Sequence, residues 1–166
     1  MGDQERRRNS CGPKGELASR ILAMPADSNP RGDIFGGWIM ALMDSAGKMS
    51  ATPYAGGRVV TVAVSNIVFL APVHVGDTVC CYTEVERLGR TSITLDVEVW
   101  VLRQGQGERI RVTEAQFTFV AIDEEGRPRE LPTPAGKKRP LRAGIAEVEA
   151  RVPAVPGIAP RRRSPS

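Results

Sequence analysis

The 166-residue sequence predicts an α+β domain: one long apolar helix covered by a strongly curved antiparallel sheet. Three observations carry this. A single stretch of helical period lies near the start, from about Gly36 to Pro53. Four stretches of period-two alternation follow, each longer than the usual five or six residues of a strand. Turn formers separate them, so the four strands are expected in hairpin succession.

In chain order, residues 1–14 form a charged leader, expected to be disordered. Glu16 to Met24 reads as a strand or a short helix. Pro25 to Asp33 holds Pro25, Asp27, Ser28, Asn29, Pro30 and Gly32, all turn formers. In the helix that follows, Phe35, Ile39, Leu42, Met43 and Ala46 share one side at 100° per residue. Few polar residues interrupt it, so much of its circumference should be buried. Pro53 and Gly56-Gly57 are expected to end it. Arg58 to Leu70 is a strand with a break near Ser65-Asn66. Pro72 and Gly76-Asp77 turn the chain, and Thr78 to Leu88 is the next strand. After Gly89-Arg90, Thr91 to Leu102 alternates Ile93, Leu95, Val97, Val99 and Val101 against Thr94, Asp96, Glu98 and Trp100. Gln104 to Gly107 is a hairpin loop and Arg109 to Ile122 the last strand. One helix leaves much of such a sheet uncovered, so self-association is expected.

Composition bounds the function. No apolar run approaches the roughly 20 residues of a membrane helix, and the leader lacks the apolar core of a signal peptide. A cytoplasmic protein with no membrane partner is expected. The formal net charge is +4, but residues 133–166 hold eight Lys/Arg against two acids, or +6. Residues 1–132 therefore carry −2. The basic charge belongs to a Pro-rich tail, expected to be disordered. Nucleic acid is not an expected partner, because the body shows neither a basic helix nor an aromatic stripe. Cys80 and Cys81 are adjacent in a strand, point to opposite faces, and are expected in the core. His74 is the only histidine and is expected at the surface. Neither residue type forms a metal-ligand pattern.

The candidate chemistry lies between Ala26 and Asp44. Gly36-Gly37 opens a helix, whose first backbone N–H groups have no intrahelical acceptor. Asp44 stands about 140° from Ile39, at the rim of the apolar arc. A helix-start amide and a carboxylate could polarise a carbonyl and activate water. From the pattern alone, Asp44 reads first as a solvated boundary carboxylate, and Asn29 as a plain turn residue.

Extended segments carry a resemblance. They are Leu22-Ala23-Met24-Pro25, Asn29, Gly32 to Trp38, Met43-Asp44, Gly57 to Val64, Val75-Gly76-Asp77, Val79 to Tyr82, Gly89 to Ser92, Val97 to Trp100 and Val112 to Ala115. In this order they resemble the hotdog-fold acyl-CoA thioesterases, nearest the bacterial YciA type, over about residues 15–132. The resemblance implies a long helix wrapped by an antiparallel sheet, and a dimer with a continuous sheet, often as a trimer of dimers. It implies hydrolysis of acyl-CoA to a free acid and CoA, with no cofactor and no metal.

By the same resemblance, Asp44 is the catalytic carboxylate, as general base or as nucleophile through a mixed anhydride. Asn29 orients water or the thioester carbonyl, and in the dimer it faces the Asp44 of the other protomer. An amide of Gly36 or Gly37, foremost Gly36, is the oxyanion donor. Arg90, Thr91 and Ser92 are implied at the CoA phosphates, with Arg58 and Lys48 as weaker candidates. Thr61 is implied as lining the acyl or pantetheine channel. An acyl-CoA-sensing protein without catalysis is the alternative. A hydratase of the same fold is disfavoured, because His74 does not supply the Asp-to-His pair it needs.

Overall fold

The computed structural model describes residues 12–104, 107 and 109–132. The expected disorder of the leader through residue 11 and of the tail from residue 133 lies outside them. Strand β1 (Glu16–Leu22) precedes a 3-10 turn at Pro25–Asp27 and helix α1 (Gly36–Ala55). Strands β2 (Val59–Phe69), β3 (Thr78–Leu88), β4 (Ser92–Leu102) and β5 (Arg109–Ala121) follow. They form one antiparallel sheet in the order β1-β3-β4-β5-β2.

That order corrects the expected hairpin succession. Only β3, β4 and β5 are consecutive neighbours. β2 pairs with β5 instead of β3, from Val59 opposite Ala121 to Phe69 opposite Thr113. Alternation marks the two faces of a strand and says nothing about its neighbour. The ambiguous first segment is a strand on the free edge of β3. The expected break in β2 is present: the register shifts between Ser65 and Val68, and Asn66 has φ 56°.

The helix ends two residues later than Pro53 suggested. Proline removes one N–H but leaves the chain in helical φ, so the last turn continues to Ala55. Gly56 stops it at φ 63°, with its amide bonded to the Thr52 carbonyl at 2.9 Å. Arg129 reinforces this end by donating to the Ala55 carbonyl at 2.7 Å and to the Ile122 carbonyl at 3.1 Å.

Ile39, Met43, Ala46, Gly47, Ala51 and Ala55 are the buried stripe of α1. Ile93, Leu95, Val97, Val99 and Val101 meet it as the fully buried face of β4. Gly47 is required by contact: a Cβ there would stand 2.8 Å from the ring of Phe119. Phe35 departs from the expected stripe and is half exposed, because it is the N-cap and sits outside the helical period. Met40, Met49 and Tyr54 are also exposed, so a single chain leaves part of this apolar helix uncovered.

The opposite face of β4 is less open than its polar residues suggested. Glu98 and Trp100 are buried there with Cys80 and Tyr82. Glu98 accepts from Trp100 Nε1 at 2.8 Å and from Arg111 at 3.2 Å. The backbone amide of Lys14 also donates to it at 3.3 Å. Cys81 packs in the main core and Cys80 in this outer cluster, on opposite faces as expected. Burial raises the Cys81 thiol pKa above its ordinary value, which keeps it protonated and inert.

One buried ion pair fixes the connection between β2 and β3. Arg103 donates to both carboxylate oxygens of Asp77, at 3.1 and 2.9 Å, and to the Pro72 carbonyl at 3.0 Å. The His74 amide adds a bond to Asp77 at 2.9 Å. Burial alone would raise the Asp77 pKa, but the Arg103 and His74 hydrogen bonds outweigh it and hold the carboxyl below 3.8. A depressed folded-state pKa stabilises above the unfolded value and is lost as pH falls through the folded one. Thermal scans should therefore show a stability loss below about pH 4 to which Asp77 contributes. Asp77→Asn should be less stable at pH 7 and lose less on acidification.

Candidate active site

The loop before α1 is closed by its own backbone. The Asn29 amide donates to the Asp33 carbonyl at 2.7 Å, and the Gly32 amide to the Asn29 carbonyl at 2.9 Å. Asn29 Oδ1 accepts from the amides of Arg31 and Asp33, at 2.9 and 3.1 Å. Two converging N–H donors identify that atom as oxygen. The Asn29 oxygen is thus committed to the loop, and Nδ2 is left as a donor for another group. The Asp33 carboxylate meets His74 Nδ1 at 3.1 Å, which ties the loop to the β2–β3 connection. His74 is partly exposed in that connection, as expected.

The Phe35 amide bonds the Asp27 carbonyl at 3.2 Å, and the Phe35 carbonyl receives the amides of Trp38 and Ile39. The amides of Gly36 and Gly37 are the first of the helix and have no acceptor among the described residues. A Cβ on Gly37 would meet nothing within 4 Å, so the space beside Gly37 is open. Asn29 Nδ2 and the amides of Gly36 and Gly37 are thus candidate donors in the loop and at the helix start.

Asp44 is half buried on α1 and accepts a hydrogen bond from the Thr61 hydroxyl of β2. The sequence placed Thr61 only along a channel; the fold puts its hydroxyl on the carboxylate. No local motif links positions 17 apart, so the fold alone brings this pair together. Asp44 lies eight residues beyond Gly36, or about 12 Å along the helix axis. Hydrogen-bond reach is about 3 Å. Within one chain the carboxylate and the amide donors therefore stand too far apart to act on the same carbonyl.

Arg58 and Arg90 stand at the end of the sheet where α1 finishes. The Ile122 amide bonds the Arg58 carbonyl at 3.0 Å, and the Leu131 amide bonds the Arg90 carbonyl at 2.9 Å. Arg90 also reaches Glu130 at 3.0 Å, with both side chains mostly in solvent. Thr91 and Ser92 are buried and hold the turn through their carbonyls, which accept from Ala121 and Gly89. Of this triplet, only Arg90 presents its side chain to solvent.

Comparison with known proteins gives a consistent picture. The thioesterase superfamily matches residues 31–108. The acyl-CoA thioester hydrolase YciA of Salmonella typhimurium is 53% identical over 123 residues, covering 72% of this chain and 92% of that protein. Among solved structures, the hexameric thioesterase y2039 of Yersinia pestis aligns with a TM-score of 0.70 at 55% identity, over 74% of this chain and 99% of that one. HI0827, a hexameric broad-specificity acyl-coenzyme A thioesterase, aligns with a TM-score of 0.72 at 51% identity, over 77% and 88%.

Proposed function

Because the chain belongs to the acyl-CoA thioester hydrolases of the thioesterase superfamily, we propose that it hydrolyses acyl-CoA with a site assembled from two copies of itself. The observation that carries this reading is the roughly 12 Å between the Gly36 amide and Asp44 along one helix. The open edge of β2 supports the pairing. Residues 63–66 and 68 of that strand are exposed, and Val64 and Val68 add apolar surface. Among the described residues no strand lies on the outer edge of β2, and such an edge is a template for a second copy of itself. Three such dimers would give a hexamer, the assembly of the similar solved proteins.

In this site the thioester carbonyl lies before Gly36 and Gly37 of one protomer, with Asn29 Nδ2 beside it. Asp44 of the other protomer approaches the carbonyl carbon. As general base, Asp44 takes a proton from water while the water oxygen bonds to that carbon. The C–S bond then breaks, and the CoA sulfur leaves as thiolate and is protonated. As nucleophile, the Asp44 oxygen bonds to the carbon, expels the thiolate and leaves a mixed anhydride for water to cleave. In both routes, charge gathers on the carbonyl oxygen against the helix-start amides. CoA enters as part of the substrate, and the steps so drawn use no cofactor. Arg58 and Arg90 offer forked cationic donors to its phosphates.

Thr61 positions Asp44. Thr61→Val should lower kcat about tenfold with little change in KM, the scale of one hydrogen bond to a charged group. Thr61→Ser should restore most of the loss. The reading as a whole is tested by CoA release from acetyl-, butyryl-, octanoyl- and palmitoyl-CoA, followed with a thiol reagent. Turnover supports it. CoA binding by calorimetry without turnover would make the protein an acyl-CoA sensor instead.

A further inference from the structure

A cavity of about 390 Å³ opens between the start of α1 and the end of β2. It is lined by Ile34 and Ile39 near the start of α1, by Pro72 and Val73 after β2, and by Val112 of β5. Every lining residue is apolar or glycine. The volume falls within the range of small-molecule sites, and the lining suits a guest without polar atoms. Gly36, whose amide lacks an acceptor among the described residues, also lines the cavity. A molecule that fills the cavity with hydrocarbon and presents one carbonyl oxygen at the rim satisfies both. An acyl thioester has that chemistry.

Phe69 occupies the same rim. Three of its ring atoms lie 3.4–3.9 Å from the point where a Cβ on Gly36 would stand. Gly36 therefore does two things: it leaves its amide approachable, and it lets an aromatic ring sit beside that amide. The backbone under the ring is fixed. The Thr113 hydroxyl donates to the Val68 carbonyl at 2.6 Å, and the Leu70 amide to the Val112 carbonyl at 2.7 Å. The ring itself is 48% exposed, so it ends at the mouth and is not locked in the core.

We infer that this cavity takes the acyl chain and that Phe69 and Val112, which both line it, determine which chain lengths are accepted. The inference rests on the thioesterase reading and deepens it. Discrimination of this kind is steep, since one methylene in an apolar pocket changes specificity by roughly 10- to 200-fold.

The test is the kcat/KM profile from acetyl- to palmitoyl-CoA for the full chain and three variants. Phe69→Ala removes the ring, Phe69→Leu keeps an apolar side chain of smaller size, and Val112→Met takes up cavity volume. Phe69→Ala should raise the palmitoyl-to-butyryl ratio at least tenfold, and Phe69→Leu should move it the same way by less. Val112→Met should lower the octanoyl-to-acetyl ratio. Opposite shifts from opposite changes of volume cannot come from general damage, and Phe69→Leu and Val112→Met keep the test open if Phe69→Ala fails to fold. Loss by one common factor on every substrate would overturn the inference and leave the thioesterase reading standing. No turnover by the wild type on any thioester would overturn both.

Discussion

Asp44→Asn is expected to lower kcat by two or more orders of magnitude while the protein folds and still binds CoA. The substitution keeps shape and removes charge. An amide can neither take a proton from water at neutral pH nor attack a carbonyl as a carboxylate does, so both routes fail together. General acid–base catalysis alone is worth roughly 10²–10⁴-fold. The Thr61 hydroxyl can still meet the side-chain oxygen of Asn, so the local fold should be preserved. The measurement is single-turnover CoA release beside CoA binding by calorimetry. A rate within tenfold of wild type would remove Asp44 from the chemistry. Mixing this variant with Gly36→Pro, which lacks the donor N–H, adds a sharper version. If sites combine two protomers, mixed dimers regain one intact site each, so activity should rise above that of either variant alone.

Phe119→Ala should cost about 3–5 kcal/mol, the usual range for deleting a buried aromatic ring. Phe119 is fully buried, stacks on Phe117 with ring centroids 6.2 Å apart, and fills the place that Gly47 leaves on the helix. The loss is a large share of the 5–15 kcal/mol that holds an ordinary domain together. Gly47→Leu forces a side chain into the same volume and should also destabilise, by overpacking. Together the two changes should cost less than their sum, because the new side chain enters the space that the ring vacates. Urea unfolding at one fixed protein concentration reads all three, since unfolding of an oligomer depends on concentration. Strict additivity would mean that the ring and the glycine do not share a volume.

The elements of the fold were largely legible in the chain. Ile93 to Val101 alternates cleanly because one side of β4 faces the helix, and all five of those residues are fully buried. The Ser65-Asn66 irregularity is a register shift with one left-handed residue, which asparagine tolerates. The end of α1 was less legible, since Pro53 and Gly56 are both stop signals and only Gly56 adopts the left-handed turn. The pairing of β2 was not legible at all. Period-two patterning records burial, and many neighbours can supply burial equally well.

The candidate site divides in the same way. Gly36-Gly37 at a helix start, Asn29 in a turn-rich loop and Asp44 at the rim of an apolar arc are local properties, and the sequence by itself determined them. Local steric and hydrogen-bonding preferences act over a few residues, so a few residues suffice to read them. The rest needed the tertiary structure. Thr61 reaches Asp44 across 17 positions, Arg103 holds Asp77 across 26, and Arg129 reaches the Ala55 carbonyl across 74. The cavity beside Gly36 is walled by residues from three separate segments of chain. Such contacts arise where packing places strands that alternation cannot order. The fold alone therefore decided which carboxylate partner, which ion pair and which apolar wall the local signals would meet.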